Sequence, residues 1–180
     1  MARSREQRLI LVWSAAAILL TVVVTVGAWL WLPPRWVGIG AEPALAERLA
    51  YALRVDLLIF LWLAGCIRVV ASVRYRSDAD RPGSAYATPS PRLAVPAAVL
   101  QNSLEQTVLA VGGHLVLATT LRGAELVLLP ALTALYLLGR ATFALAYPKG
   151  AGARAFGMAL TGASTLAAYG IALVLIFIGR

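Results

Sequence analysis

Cysteine occurs once, at Cys66, and histidine once, at His114. A lone cysteine excludes an internal disulfide and any cysteine-only metal site, and a lone histidine cannot hold a metal by itself, so no metal is expected. Charge is scarce as well: 13% of the residues are Asp, Glu, Lys or Arg, only 8 are acidic, and the lysines reduce to Lys149. Hydrocarbon fills the space, at 61% hydrophobic residues and a mean hydropathy of +0.81. That balance excludes a soluble globular domain and identifies an integral membrane protein in a lipid bilayer. A net charge of +8 would suggest nucleic acid if it formed a patch on a soluble domain. Here the basic residues sit in short loops between apolar runs, where they set topology, and no nucleic-acid partner is expected.

Five runs are long and apolar enough to span: Leu9–Leu32, Leu49–Val73, Leu93–Leu121, Glu125–Tyr147 and Arg154–Ile178. The expected fold is therefore an all-α integral membrane helical bundle with five transmembrane helices. The first run is about 36 Å long as a helix. It follows Arg3, Arg5 and Arg8 as a signal peptide would, but it is too long for that apolar core. The small-x-small site Ala44-Leu45-Ala46 also lies well beyond it, so an uncleaved helix is expected. Pro33-Pro34 ends this run, Asp78–Pro91 reads as a polar loop, and Arg122-Gly123 and Pro148–Gly152 read as tight turns. Pro130 is expected to bend the fourth helix.

Orientation follows from the basic residues. With the N-terminus in the cytoplasm, Arg3, Arg5, Arg8, Arg74, Arg76, Arg81, Arg92, Lys149 and Arg154 lie inside, against Arg35, Arg48, Arg54, Arg122 and Arg180 outside. The start of the third helix, the end of the fourth and the start of the fifth then share the cytoplasmic face. Abundant alanine and arginine with little lysine suggest a bacterial source, hence an inner membrane.

Two polar concentrations fall at that depth. Gln101-Asn102-Ser103-Leu104-Glu105-Gln106 interrupts the third run, where an acidic group at mid-bilayer costs about 2.5–3.5 kcal/mol. Asn102 and Glu105 lie about 60° apart around the helix, so they share a face. Arg140 and Tyr147, about 20° apart on the fourth, form a stripe with Phe143, and Arg154 follows across the turn. Guanidiniums, amide, phenol and carboxylate together suit an anionic ligand bearing carboxylates and amides. The competing reading is structural: interhelical hydrogen bonds, a Glu105–Arg140 ion pair, and Arg154 as a topology charge. Asp56 and Arg68 are expected to be structural or interfacial, Cys66 a small buried hydrophobe, His114 separate from the cluster, and Trp29, Trp31 and Trp36 an interfacial belt.

Asn102-Ser103-Leu104-Glu105, followed by Tyr136-Leu137-Leu138-Gly139-Arg140-Ala141-Thr142-Phe143-Ala144-Leu145-Ala146-Tyr147 and then Arg154, resembles a pattern of the MAPEG superfamily, the membrane-associated proteins of eicosanoid and glutathione metabolism. Val73-Arg74-Tyr75-Arg76 resembles the basic end of that superfamily's first helix. The likeness covers about Leu53–Ile178. It implies a division into an added helix and loop (1–48) and a MAPEG-like four-helix membrane domain (49–180). It implies a homotrimer with glutathione as co-substrate, held between subunits near the cytoplasmic face by Asn102, Glu105, Arg140 and Tyr147. Arg154 would be the catalytic residue that stabilises the thiolate. The expected function is a glutathione-dependent transferase or peroxidase acting on hydrophobic small molecules, whether electrophiles or lipid hydroperoxides. The alternative is a non-catalytic lipid-binding or scaffolding relative, since Ala98, Gln106 and Phe143 depart from glutathione-using members. A transporter is a third reading, though no inverted repeat is evident.

Overall fold

The computed structural model describes residues 4–33, 35 and 42–180, so Arg3, Pro34 and Trp36 lie outside the described residues. Five long helices form an all-α bundle: α1 (Arg5–Trp31), α2 (Leu45–Tyr75), α3 (Pro91–Thr120), α4 (Leu128–Ala146) and α5 (Ala151–Phe177). Four helical stretches, α1, α2, Gly123–Lys149 and α5, are long and apolar enough to cross a membrane. The 30-residue α3 is as long, but its polar stretch and His114 lower its hydropathy. Much of that polarity turns inward: Ser103, Thr107 and His114 are buried on the stripe that also carries Val99, Ala110 and Leu117. The chain is an integral membrane protein.

Local chemistry sets the helix ends. Ser4 caps α1 by accepting the Gln7 N–H, while the Gln7 side chain accepts the Ser4 N–H. Ser90 caps α3, with Pro91 at the first helical position, where its missing N–H needs no partner. The loop between α2 and α3 is tied to that cap through Asp80. Its carboxylate accepts the Ser90 N–H at 2.8 Å and the Ser90 and Ser77 hydroxyls at 2.7 Å each. These bonds hold the Asp80 carboxyl below the usual carboxylate range, the Ser90 backbone N–H contributing most and Arg74 adding a little.

The structure sets Pro130 at the start of α4, not inside it. The chain runs Gly123–Val127 as a 3₁₀ turn, and α4 starts only at Leu128. Pro130 therefore sits in the first turn of α4, where a proline breaks no ladder bond. Arg122-Gly123 opens this 3₁₀ turn. A second one, Tyr147–Lys149, leads to Gly150, whose φ of 99° lets the chain reverse into α5.

Packing centres on α4, the most buried span, which crosses α5 at glycine pairs. A Cβ on Gly157 would lie 2.3 Å from the Phe143 nitrogen, and one on Gly139 would lie 2.5 Å from the Thr161 hydroxyl oxygen. Small residues thus let the two backbones meet, as membrane helices do where apolar burial gives no net drive. The first helix runs parallel to α5: Leu9 lies against Gly152, Trp13 packs edge-on to Phe156 at 6.0 Å, and Ala17 clusters with Leu160. Its inward stripe is Ile10, Ser14, Ala17, Thr21, Val24 and Ala28, and its opposite side, with Val12, Leu19, Val23, Val26 and Leu30, is exposed hydrocarbon suited to lipid. Trp29 and Trp31 are among those exposed side chains.

Asp56 takes the structural of its two expected placements. It is fully buried, its Oδ1 lying 2.6 Å from His114 Nδ1 and accepting the Thr133 hydroxyl at 3.3 Å. The all-round apolar character of α2 gives no sign of which side faces inward. Arg68 stays apart from Asp56 and bonds Ser72 one turn along its own helix.

A candidate ligand site at the Arg154 end of the bundle

The third and fourth helices are joined by Arg140. This side chain is fully buried, donating from Nη1 to Asn102 Oδ1 at 2.9 Å and from Nη2 to Ser103 Oγ at 3.1 Å. Its guanidinium also lies 4.4 Å over the Phe143 ring, a cation–π contact. Ser103 Oγ further accepts the Trp62 indole N–H at 3.2 Å, and Cys66 Sγ lies 3.7 Å away, half-buried. Arginine only donates, so the bond fixes the Asn102 amide: its oxygen faces Arg140 and its NH₂ remains to donate elsewhere. Arg140 is thus a strut that sets the Asn102 amide and the Phe143 ring.

The α4–α5 turn continues the stack. Phe143 meets Tyr147 edge-on at 5.3 Å, and the Arg154 guanidinium lies 4.3 Å over the Tyr147 ring. No carboxylate pairs with Arg154 among the described residues. It sits in the first turns of the 27-residue α5, whose N-terminus carries no side-chain cap. Unpaired guanidinium and uncapped helix N-terminus both favour an anion at this end.

A cavity of about 450 Å³ opens here, lined by Asn102 from α3, Phe143 from α4, Tyr147 from the following turn and Ala151, Arg154, Ala155, Met158 and Ala159 from α5, with Ile10 and Ser14 from α1 closing it. Of the five residues singled out in the sequence, Asn102, Tyr147 and Arg154 line it. Arg140 does not, being buried behind Asn102 and Phe143. Glu105 does not either: it is exposed and accepts from Gln101 Nε2 at 2.9 Å, one turn back on α3. The Glu105–Arg140 ion pair weighed from the sequence is not formed. The 60° between Glu105 and Asn102 is enough to carry the carboxylate around to the exposed face.

Ser103, Ile10 and Ser14 were not legible as participants. Ser103 sits inside the Asn102–Glu105 motif, and its 100° offset from Asn102 gave no reason to pair it with Arg140. Ile10 and Ser14 lie on a helix apolar on all sides, where no pattern marks a face. On the other side of the α3–α4 contact, a second cavity of about 430 Å³ is almost wholly apolar. Leu61, Trp62, Cys66, Val95, Val99 and Ala144 are among its walls.

A profile of the MAPEG family matches residues 49–174, from early α2 to near the end of α5. No curated protein and no solved structure matches the chain significantly. The profile takes in Asn102, Arg140, Tyr147 and Arg154 and leaves out α1. By that match over most of its length, the chain belongs to the MAPEG family, membrane proteins associated with glutathione and eicosanoid metabolism.

Proposed function

We propose that the chain binds glutathione in the cavity at the Arg154 end and uses its thiolate on hydrophobic substrates, as a transferase or peroxidase. The observation that carries this reading is Arg154. It is a guanidinium without a carboxylate partner among the described residues, at an uncapped helix N-terminus, in one cavity with Asn102 and Tyr147. These residues also stand where the family resemblance puts thiol-ligand contacts. Arg154 would lower the cost of the thiolate, the Asn102 NH₂ would take a ligand carbonyl, and the apolar wall of Met158 and Ala159 would receive the hydrophobic partner. In conjugation the thiol gives its proton to water, the sulfur lone pair forms the S–C bond, and the leaving group departs with its electron pair. With a hydroperoxide, the thiolate attacks the distal oxygen, the O–O bond breaks, and the alkoxide takes a proton from water to leave as alcohol. A second glutathione then reduces the sulfenic acid to disulfide and water.

A homotrimer fits the exposed face of α3. Gln101, Leu104, Glu105 and Val108 lie open on one side near the middle of the helix. A carboxylate there costs about 2.5–3.5 kcal/mol against lipid, so a neighbouring copy is the better cover. Placement in a bacterial inner membrane with the N-terminus inside accords with the charge distribution. Lipid binding without catalysis is the second reading, favoured by the apolar cavity beside Cys66 and by Glu105 lying off the site. Turnover of a chromogenic aryl halide and of an organic hydroperoxide with glutathione decides between them. Arg154→Ala is expected to lose turnover with its helical circular dichroism intact, whereas undiminished turnover in that variant, or none in the wild type, removes the assigned role.

A further inference from the structure

The ligand cavity is not built from the family-matched residues alone. Residues 49–174 supply three of its sides, and α1, outside that match, supplies the fourth through Ile10 and Ser14. This wall is held in place along its whole length. Glu6 and Leu9 approach Gly152, Trp13 packs on Phe156, Ala17 is fully buried beside Leu160, and Thr21 is buried a turn later. Because α1 and α5 run parallel, the cavity has two tiers. Arg154, Tyr147 and Ile10 form the outer one. Ser14 lies one turn of α1, about 6 Å, deeper than Ile10, near the level of Met158. Asn102 reaches the cavity from α3 with its NH₂ free. The Ser14 hydroxyl makes no side-chain hydrogen bond to the protein among the described residues, although it lines a cavity on the inward stripe of α1.

We infer that α1 is a wall of the binding site and that Ser14 reads the ligand's amide, opposite Asn102, while Arg154 holds its carboxylate. The inference rests on the proposed thiol-peptide reading and deepens it. A hydroxyl both donates and accepts, so together with the donor-only end of Asn102 it matches a peptide group, with its one N–H and one C=O. Ile10 lines the outer tier with Tyr147. The ligand class is therefore an anionic thiol carrying at least one amide, and an amide-free mercapto acid satisfies only the outer tier.

Two measurements on the full chain test this. In a Cys66→Ala background, Ser14→Cys is expected to react with a membrane-impermeant anionic thiosulfonate in detergent micelles, while Leu19→Cys, on the lipid-facing side of α1, does not. Equal silence of both positions overturns the wall. Calorimetry is the second arm. Ser14→Ala is expected to weaken glutathione binding by about 2- to 10-fold, the range for one hydrogen bond, and to leave 3-mercaptopropionate unchanged. Ser14→Leu, which fills the inner tier, is expected to abolish glutathione binding. If the wild type binds glutathione and Arg154→Ala does not, yet Ser14→Leu binds as the wild type does, the role of α1 is refuted while the site stands. If the wild type binds no glutathione at all, the site reading falls and this inference falls with it.

Discussion

Gly157→Ala should destabilise the bundle, although alanine is the better helix former. In a helix interior the exchange by itself favours the fold by about 1 kcal/mol. At Gly157 the new methyl would lie 2.3 Å from the Phe143 nitrogen, 2.6 Å from the Gly139 oxygen and 2.7 Å from Phe143 Cα. All three are backbone atoms that no rotamer change can move, so α4 and α5 must part by about 1 Å. Overpacking of this kind costs about 1–3 kcal/mol, and the rigid neighbours place it at the upper end. The net expectation is a loss of about 2 kcal/mol. Gly170→Ala, on the same helix, is the matched control. Nothing lies within 4 Å of its added Cβ, so it should be neutral or stabilise by up to about 1 kcal/mol. Unfolding of both variants in mixed micelles with increasing dodecyl sulfate, followed by tryptophan fluorescence, reads the difference. Since the displaced backbone carries Phe143, the support of the Arg140 guanidinium, glutathione binding should weaken in Gly157→Ala alone. Equal unfolding midpoints for the two variants would refute the close-crossing argument.

The buried pair of Asp56 and His114 should show strong coupling. Replacing either one by leucine leaves its partner unpaired and costs about 3–5 kcal/mol, while the double variant costs less than the sum. Additive single effects in the same micelle titration would show that the pair is not formed. Asp80 should make the loop before α3 acid-sensitive. Its carboxyl is held below the ordinary value, so its contribution is complete above about pH 4 and is lost as pH falls through the lower folded value. Hydrogen exchange in residues 77–90 should therefore rise at pH 7 in Asp80→Asn, but in the wild type only under strong acid. Protection in Asp80→Asn equal to the wild type's at pH 7 would contradict this. Arg140→Lys should keep a charge but lose the two-pronged hold on Asn102 and Ser103, weakening glutathione binding without emptying the outer tier of the site. Unchanged affinity would show that the Asn102 amide needs no such support.

Four of the helices were legible as long apolar runs ended by proline, glycine or charge, and α3 as a run interrupted by polar residues. The meeting of Asn102 with Arg140 was legible in outline, since charge-based orientation put both at one depth. Other features depended on which way a side chain turns, which apolar helices do not reveal. Hydrophobic residues surround α1 and α2 on every side, so neither the Ser14 wall nor the inward turn of Asp56 toward His114 leaves a periodic trace. Glu105 lies off the cavity because three residues along a helix is close enough to share a broad face with Asn102 and far enough to leave a narrow cavity. Pro130 misled through a boundary. The 3₁₀ turn at Gly123–Val127 delays α4, so a proline that reads as mid-helix in the sequence falls in a first turn.

On the proposed reading, Arg154 holds an anionic thiol ligand in the cavity between α1, α3, α4 and α5. Titration calorimetry of glutathione into the detergent-purified chain, beside Arg154→Ala, tests it most directly. Saturable binding in the wild type, weakened at least about tenfold in Arg154→Ala by loss of a charge-assisted contact, is the predicted result. Glutathione binding of equal strength in both proteins, or none in either at millimolar concentration, would mean that Arg154 holds no such ligand.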